Sequence, residues 1–205
     1  MYLTRLTLDP RNAHARRDLA DAYDMHRTLV RAFVRDQNGT PERFLWRLES
    51  GPTAWATPTL LVQAKVPGHW DVLEALPGYL QEPAHTKVIN PDRWVQPQRE
   101  YRFRLVANPT VTHAGKRYGL AGEGEQLAWL ERQGARHGFQ VSSALVSAND
   151  VLESRNRGQA PITVKRACFE GVLRVDQADG VRQALVNGLG PAKAFGCGLL
   201  SLGRC

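Results

Sequence analysis

Gly188-Leu-Gly-Pro-Ala-Lys193-Ala-Phe-Gly196-Cys-Gly198-Leu-Leu-Ser-Leu-Gly203 sets closely spaced glycines and one lysine directly before an apolar run. Glycine reaches backbone angles closed to other residues and lets a second molecule approach the main chain. Glycines with free N–H groups beside a cation can seat phosphate oxygens. A helix C-cap followed by an irregular turn uses the same residues. Order along the chain narrows the choice. Ala178 to Asn187, with Val181, Ala184 and Leu185 at helical spacing, comes first, and a strand over 198–202 follows. A nucleotide P-loop runs strand, loop, helix and carries Gly-Lys-Ser/Thr. Here Lys193 precedes Ala194, which argues against an ATPase or GTPase.

Working back from this helix–loop–strand ending, a βαββαβ plan emerges. Tyr101-Arg-Phe-Arg-Leu-Val106 alternates as a half-buried strand, and Glu123 to Arg136 is helical through Leu127, Trp129 and Leu130. Strands are expected over 139–146 and 162–175, the second bent or interrupted at Gly171. The first half repeats the plan. Tyr2 to Leu8 alternates, a helix spans about 22–35 with Asp21 as N-cap, and strands follow at 44–49 and 59–65, joined through Gly51-Pro52. A short helix over 69–76 and a weak strand near 87–89 complete it. Asn90-Pro-Asp-Arg-Trp-Val-Gln-Pro-Gln98 reads as a linker. The expected fold is therefore α+β, with two tandem ferredoxin-like (RRM-like) βαββαβ domains at 1–89 and 100–205, joined by 90–99. That fold hosts many activities and assigns none.

Composition narrows the partners. The 205 residues are 42% hydrophobic and 23% charged, with no apolar run of membrane-spanning length. No signal peptide is read at the start, and Cys168, Cys197 and Cys205 form no Cys-x-x-Cys pair. A zinc site or disulfide framework is not indicated, and a reducing cytoplasm is the expected compartment. The formal charge of +7 is uneven: residues 1–90 hold 11 Lys/Arg against 10 Asp/Glu, and residues 91–205 hold 16 against 10. Arginine supplies 22 of the 27 cations, and its planar fork suits phosphate. An anionic polymer gripped mainly by the second half accounts for this bias, as does a plain solvated basic surface.

The first long helix carries the chemistry. Met25, Leu29 and Phe33 form its apolar stripe, Tyr23 and His26 share a face, and Arg27 and Arg31 continue a cationic side. A titratable imidazole beside a phenol and guanidinium groups suits proton transfer at a phosphodiester. A packing or surface histidine is the competing reading. His14, His69, His85, His113 and His137 lack such neighbours and are read as structural or solvated. No carboxylate pair or His/Asp/Glu cluster suggests a metal site or other cofactor.

Taken together, Tyr2-Leu-Thr-Arg-Leu, the segment from Arg16 through Tyr23-Asp-Met-His26-Arg to Leu29, Leu45-Trp-Arg-Leu48 and the terminal glycine loop resemble one family over essentially the whole chain. It is the CasE-type CRISPR RNA-processing endoribonucleases of type I-E Cascade, in the Cas6 superfamily. The resemblance implies two ferredoxin-like domains and metal-independent cutting of precursor RNA within its repeats, on the 3′ side of a stem-loop. It further implies that the guide RNA is retained in a complex with other Cascade subunits, away from any membrane. Carried over, His26 is the catalytic histidine, as general base or general acid, and Tyr23 its partner. Arg31 stands where family members commonly have lysine; since arginine stays protonated, it is assigned to phosphate or charge stabilisation with Arg27. Arg155, Arg157, Lys165 and Arg166, in a basic hairpin, are expected along the RNA stem. Gly188, Gly190, Lys193, Gly196 and Gly198 are expected at the RNA backbone. A non-catalytic RNA-binding subunit and a small-molecule ferredoxin-like enzyme remain the alternatives.

Overall fold

A computed structural model describes residues 1–34, 39–49, 56–154 and 161–205. They divide into two compact units: Met1–Ile89 with Ser154–Ile162 and Ala194–Gly196, and Asn90–Glu153 with Thr163–Lys193 and Cys197–Cys205. No helix among these residues is long and apolar enough to cross a membrane.

In the first unit, β1 (Tyr2–Thr7), β2 (Phe44–Glu49), β3 (Thr59–Ala64) and β4 (His85–Val88) form an antiparallel sheet in the order β2-β3-β1-β4. Leu6 pairs with Leu60, Trp46 with Val62 and Phe44 with Ala64. Directly paired residues share a face, so these six make one buried layer. It packs under α1 (Ala13–Ala20) and α2 (Ala22–Val30). Asn12 caps α1 by accepting from the amides of His14 and Ala15 at 2.8 and 3.1 Å. Asp21 caps α2 through the Tyr23 amide at 2.8 Å. The helix expected over 22–35 ends earlier, because Arg31–Phe33 tightens into a 3₁₀ turn. A short α3 (Asp71–Glu74) replaces the longer helix expected there. The Gly51-Pro52 turn lies outside the described residues.

The underside of α1 and α2 holds a buried polar network. Asp18, 1% exposed, accepts from the Tyr79 hydroxyl at 2.8 Å and from Arg17 at 2.7 and 2.9 Å. Burial, and then the neighbouring Asp18 carboxylate, push the Tyr79 phenol well above its ordinary range, so it stays a donor.

The second unit repeats the plan. Its sheet, in the order β10-β5-β9-β8, comprises β5 (Glu100–Ala107), β8 (Phe139–Ser154), β9 (Ile162–Val175) and β10 (Leu200–Arg204). The strand order in each sheet is that of a ferredoxin-like domain, so the fold is α+β with two such sheets. Tyr101, Phe103, Leu105 and Ala107 alternate inward beneath α5 (Glu123–His137) and α6 (Ala178–Asn187). Trp129 of α5 stacks on Phe169 with ring centroids 6.0 Å apart. Residues 90–99 are not bare coil. They hold a helical turn, α4 (Pro91–Trp94), tied down by hydrogen bonds from Tyr101 to the Trp94 carbonyl and from Arg182 to the Val95 carbonyl.

Two features of this unit exceed the sequence expectation. Strand β8 continues eight residues past Val146 as a largely exposed edge. A separate ribbon, β6 (Thr110–His113) and β7 (Lys116–Gly119), turns through Ala114 and Gly115 at φ 47° and 74°. Strand β9 is unbroken, and at Gly171 a Cβ would stand 2.0 Å from the Ser143 carbonyl oxygen of β8. Gly171→Ala should therefore cost about 3 kcal/mol through forced separation of the strands. Chemical denaturation checks this, and unchanged stability would show that the strands part freely.

Candidate active site

The site is built on α2. Its N-terminus is fixed at Asp21, whose carboxylate also accepts from Ser154, a fully buried hydroxyl, at 2.6 Å. Below the cap, Met25 and Leu29 anchor the helix in the core, as does Phe33 in the following turn. Tyr23 and His26 occupy the flank of this stripe, both half-buried. Arg27 reaches back over Tyr23, with its guanidinium carbon 5.9 Å from the ring centroid, and lies 3.6 Å from Asp24. Arg31 is exposed at the helix end and forms no ion pair among the described residues.

The His26 ring stacks on Phe44 of β2, with centroids 5.2 Å apart and planes 27° from parallel. Phe44 in turn stacks on Phe33 at 4.6 Å. This packing buries Nδ1, which has no hydrogen-bond partner among the described residues. Burial holds the imidazole pKa below its ordinary value, because the charged form is poorly solvated. His26 is therefore neutral at pH 7 and able to accept a proton.

The expected binding residues separate. Lys165 is exposed on β9, and Arg166 beside it is locked to Asp150 at 2.5 and 2.8 Å. Arg155 and Arg157 lie outside the described residues. In the glycine loop, the amide of Gly188 donates to Ala184 and that of Gly198 to Val106, so both are engaged within the protein. Gly196 directly follows a 3₁₀ turn over Lys193–Phe195 that closes this part of the loop. The Lys193 ammonium donates to the Gly190 carbonyl at 2.7 Å and closes the loop on itself. Gly196, at φ 76°, lies against the Trp46 ring, which a Cβ would approach to 3.1 Å. Trp46 is two residues along β2 from Phe44, on the same face. Ala194–Gly196 and the His26 helix thus use one strand of the first unit as their common floor. Cys197 is buried, and its thiol is pushed up to about 12 by desolvation, so it is no nucleophile.

Sequence reasoning missed Phe44 and Ser154, whose roles depend on contacts between residues far apart in the chain. The Asp21 cap was legible from residue type and position.

Comparison with known proteins adds the family. The model for CRISPR associated proteins matches residues 1–204. The chain belongs to this family. It is 36% identical to the CRISPR-associated endoribonuclease Cse3 of Thermus thermophilus, with 98% of the chain and 99% of that protein covered. It is 28% identical to the Cascade subunit CasE of Escherichia coli K12, with 98% of each covered. A solved structure of Cse3 bound to a 19-nucleotide RNA superposes with a TM-score of 0.89 at 37% identity, covering both chains completely. The chain is thus a CasE-type member of the Cas6 superfamily.

Burial sets the sign of a pH effect. The folded pKa of His26 lies below the ordinary 6.5, so the unfolded chain binds more protons between the two values. The stability that depends on neutral His26 is present above about pH 6.5 and lost as pH falls toward the folded pKa. An NMR titration should place the His26 midpoint below 6.5, and Phe44→Leu should move it upward. A midpoint at or above 6.5 in the wild type would refute the burial effect.

Proposed function

We propose that this chain is a metal-independent endoribonuclease. It cuts CRISPR precursor RNA within repeats, on the 3′ side of the stem-loop, and keeps the guide RNA as a subunit of Cascade. Family membership and the RNA-bound Cse3 structure support the substrate class. The relative named as a Cascade subunit supports the assembly. The observation that carries the chemistry is the half-buried His26 on Phe44, with Tyr23, Arg27 and Arg31 on the same helix and its following turn.

In the proposed reaction, neutral His26 removes the proton from a ribose 2′-OH. The oxygen attacks the adjacent phosphorus, a 2′,3′-cyclic phosphate forms and the P–O5′ bond breaks. The 5′-oxygen takes a proton from water as it leaves. DNA lacks the attacking hydroxyl and is not cut. Tyr23 orients the ribose or scissile phosphate. Arg27 and Arg31, permanently charged, stabilise the charge that grows on the phosphoryl oxygens. Lys165 and Arg166, with Arg155 and Arg157, grip the stem. Gly190 and Gly196, with Lys193, contact the RNA backbone; Gly188 and Gly198 shape the loop that presents them.

Purified protein incubated with a labelled repeat hairpin in EDTA should give one cut and a cyclic phosphate on the upstream fragment. His26→Ala should lower the single-turnover rate by about 10²–10⁴-fold, the range for a positioned general base, with hairpin affinity essentially unchanged. A native rate in that variant would end the His26 assignment. Tight binding without any product in the wild type would make the chain an RNA-binding subunit instead.

A further inference from the structure

The β6–β7 ribbon serves neither core. The register pairs Val111 with Tyr118 and His113 with Lys116 on one face, and Thr112 with Arg117 and Thr110 with Gly119 on the other. Tyr118 is 50% exposed and Val111 45%, an aromatic and an aliphatic side chain left open to solvent. His113, Lys116 and Arg117 are exposed as well, and residues 110–119 contain no carboxylate. A two-stranded ribbon with so little buried surface is marginal on its own, so its open pair calls for a partner. The ribbon is also placed. The Leu120 amide bonds the Pro109 carbonyl at 2.9 Å across its base. The Lys165 side chain runs along Gly119, 3.1 Å from where a Cβ would stand. The ribbon's cations therefore continue directly into Lys165, one of the expected RNA contacts.

We propose that this ribbon holds unpaired nucleotides flanking the repeat stem. A base stacks on Tyr118, while Lys116 and Arg117 neutralise neighbouring phosphates. The chemistry favours single strands over the stem, because a base must leave its stack to lie on an aromatic ring. It favours RNA over a protein partner because cations occupy both faces and no acid balances them. The inference rests on the ribonuclease reading above and adds a second contact to it.

The test uses the full chain with two labelled RNAs, a bare repeat hairpin and the same hairpin with an unpaired 5′ flank of about ten nucleotides. Wild type should bind the flanked RNA more tightly. Tyr118→Ala should weaken that binding about tenfold, as loss of one stacked base does, and Tyr118→Phe should retain it. Removing Lys116 and Arg117 together should flatten the log–log salt slope for the flanked RNA by about 0.7 per cation. Affinity for the bare hairpin, its cleavage and the thermal midpoint should stay at wild-type values. Unchanged affinity for the flanked RNA in Tyr118→Ala overturns the proposal, and so does an equal loss on both RNAs. Variants that bind both RNAs normally but fail to join partner subunits assign the ribbon to protein and also overturn it. Wild type that ignores both RNAs sinks the ribonuclease reading itself, a result distinct from all of these.

Discussion

The contact between the His26 ring and Phe44 joins the proposed catalytic histidine to the core of the first unit. Phe44 is held from behind by Phe33 and from the side by its strand neighbours, so the imidazole rests on a surface that cannot retreat. One contact therefore has three consequences. It buries Nδ1, it keeps the ring neutral near pH 7, and it seats the imidazole against a rigid strand. A histidine free in solvent would sample many rotamers and sit half-protonated near pH 6.5.

What holds the helix on that surface is a second set of interactions, polar and mostly buried. Asp21 closes the N-terminus and is fixed by Ser154; Asp18 ties α1 to Tyr79 under α2. The Tyr79 hydroxyl also approaches the sulfur of Met25, 3.9 Å away and one residue from His26. An isolated nine-residue helix is marginal in water, so its persistence depends on these ties and on the apolar stripe between them. A buried carboxylate is costly unless its lone pairs are filled, and Asp18 has both Arg17 and Tyr79 to fill them.

Period and capping made most of this architecture legible. Strands β1, β2, β3, β5 and β9 alternate or run apolar, Asp21 and the Tyr23–His26 pair follow from residue type and spacing, and two βαββαβ plans result. The unread elements share a physical cause, which is that little of their surface is buried. Helix α1 is Arg-rich and buries only Ala15 and Asp18, so no apolar stripe announced it. The distal half of β8 and both ribbon strands are exposed, and alternation carries no signal where neither face meets a core. Phe44 was read as a strand residue, but its meeting with His26 depends on how α2 crosses the sheet, which local pattern does not encode.

The glycine loop shows how one motif carries structural and chemical demands together. Gly190 would drive a Cβ to 2.8 Å from the Trp129 ring, Gly196 to 3.1 Å from Trp46 and Gly198 to 2.8 Å from the Leu189 carbonyl, each at positive φ. Three separate close approaches therefore require glycine before any ligand is considered. Ala192, at φ 61°, adds a strained turn between them that the Lys193–Gly190 hydrogen bond helps to hold. Packing thus accounts for where the glycines stand, and the amides of Gly188 and Gly198 are already engaged inside the fold. Glycine spacing alone could not separate a turn from a phosphate seat. The distinction lies in which N–H groups the fold has already used.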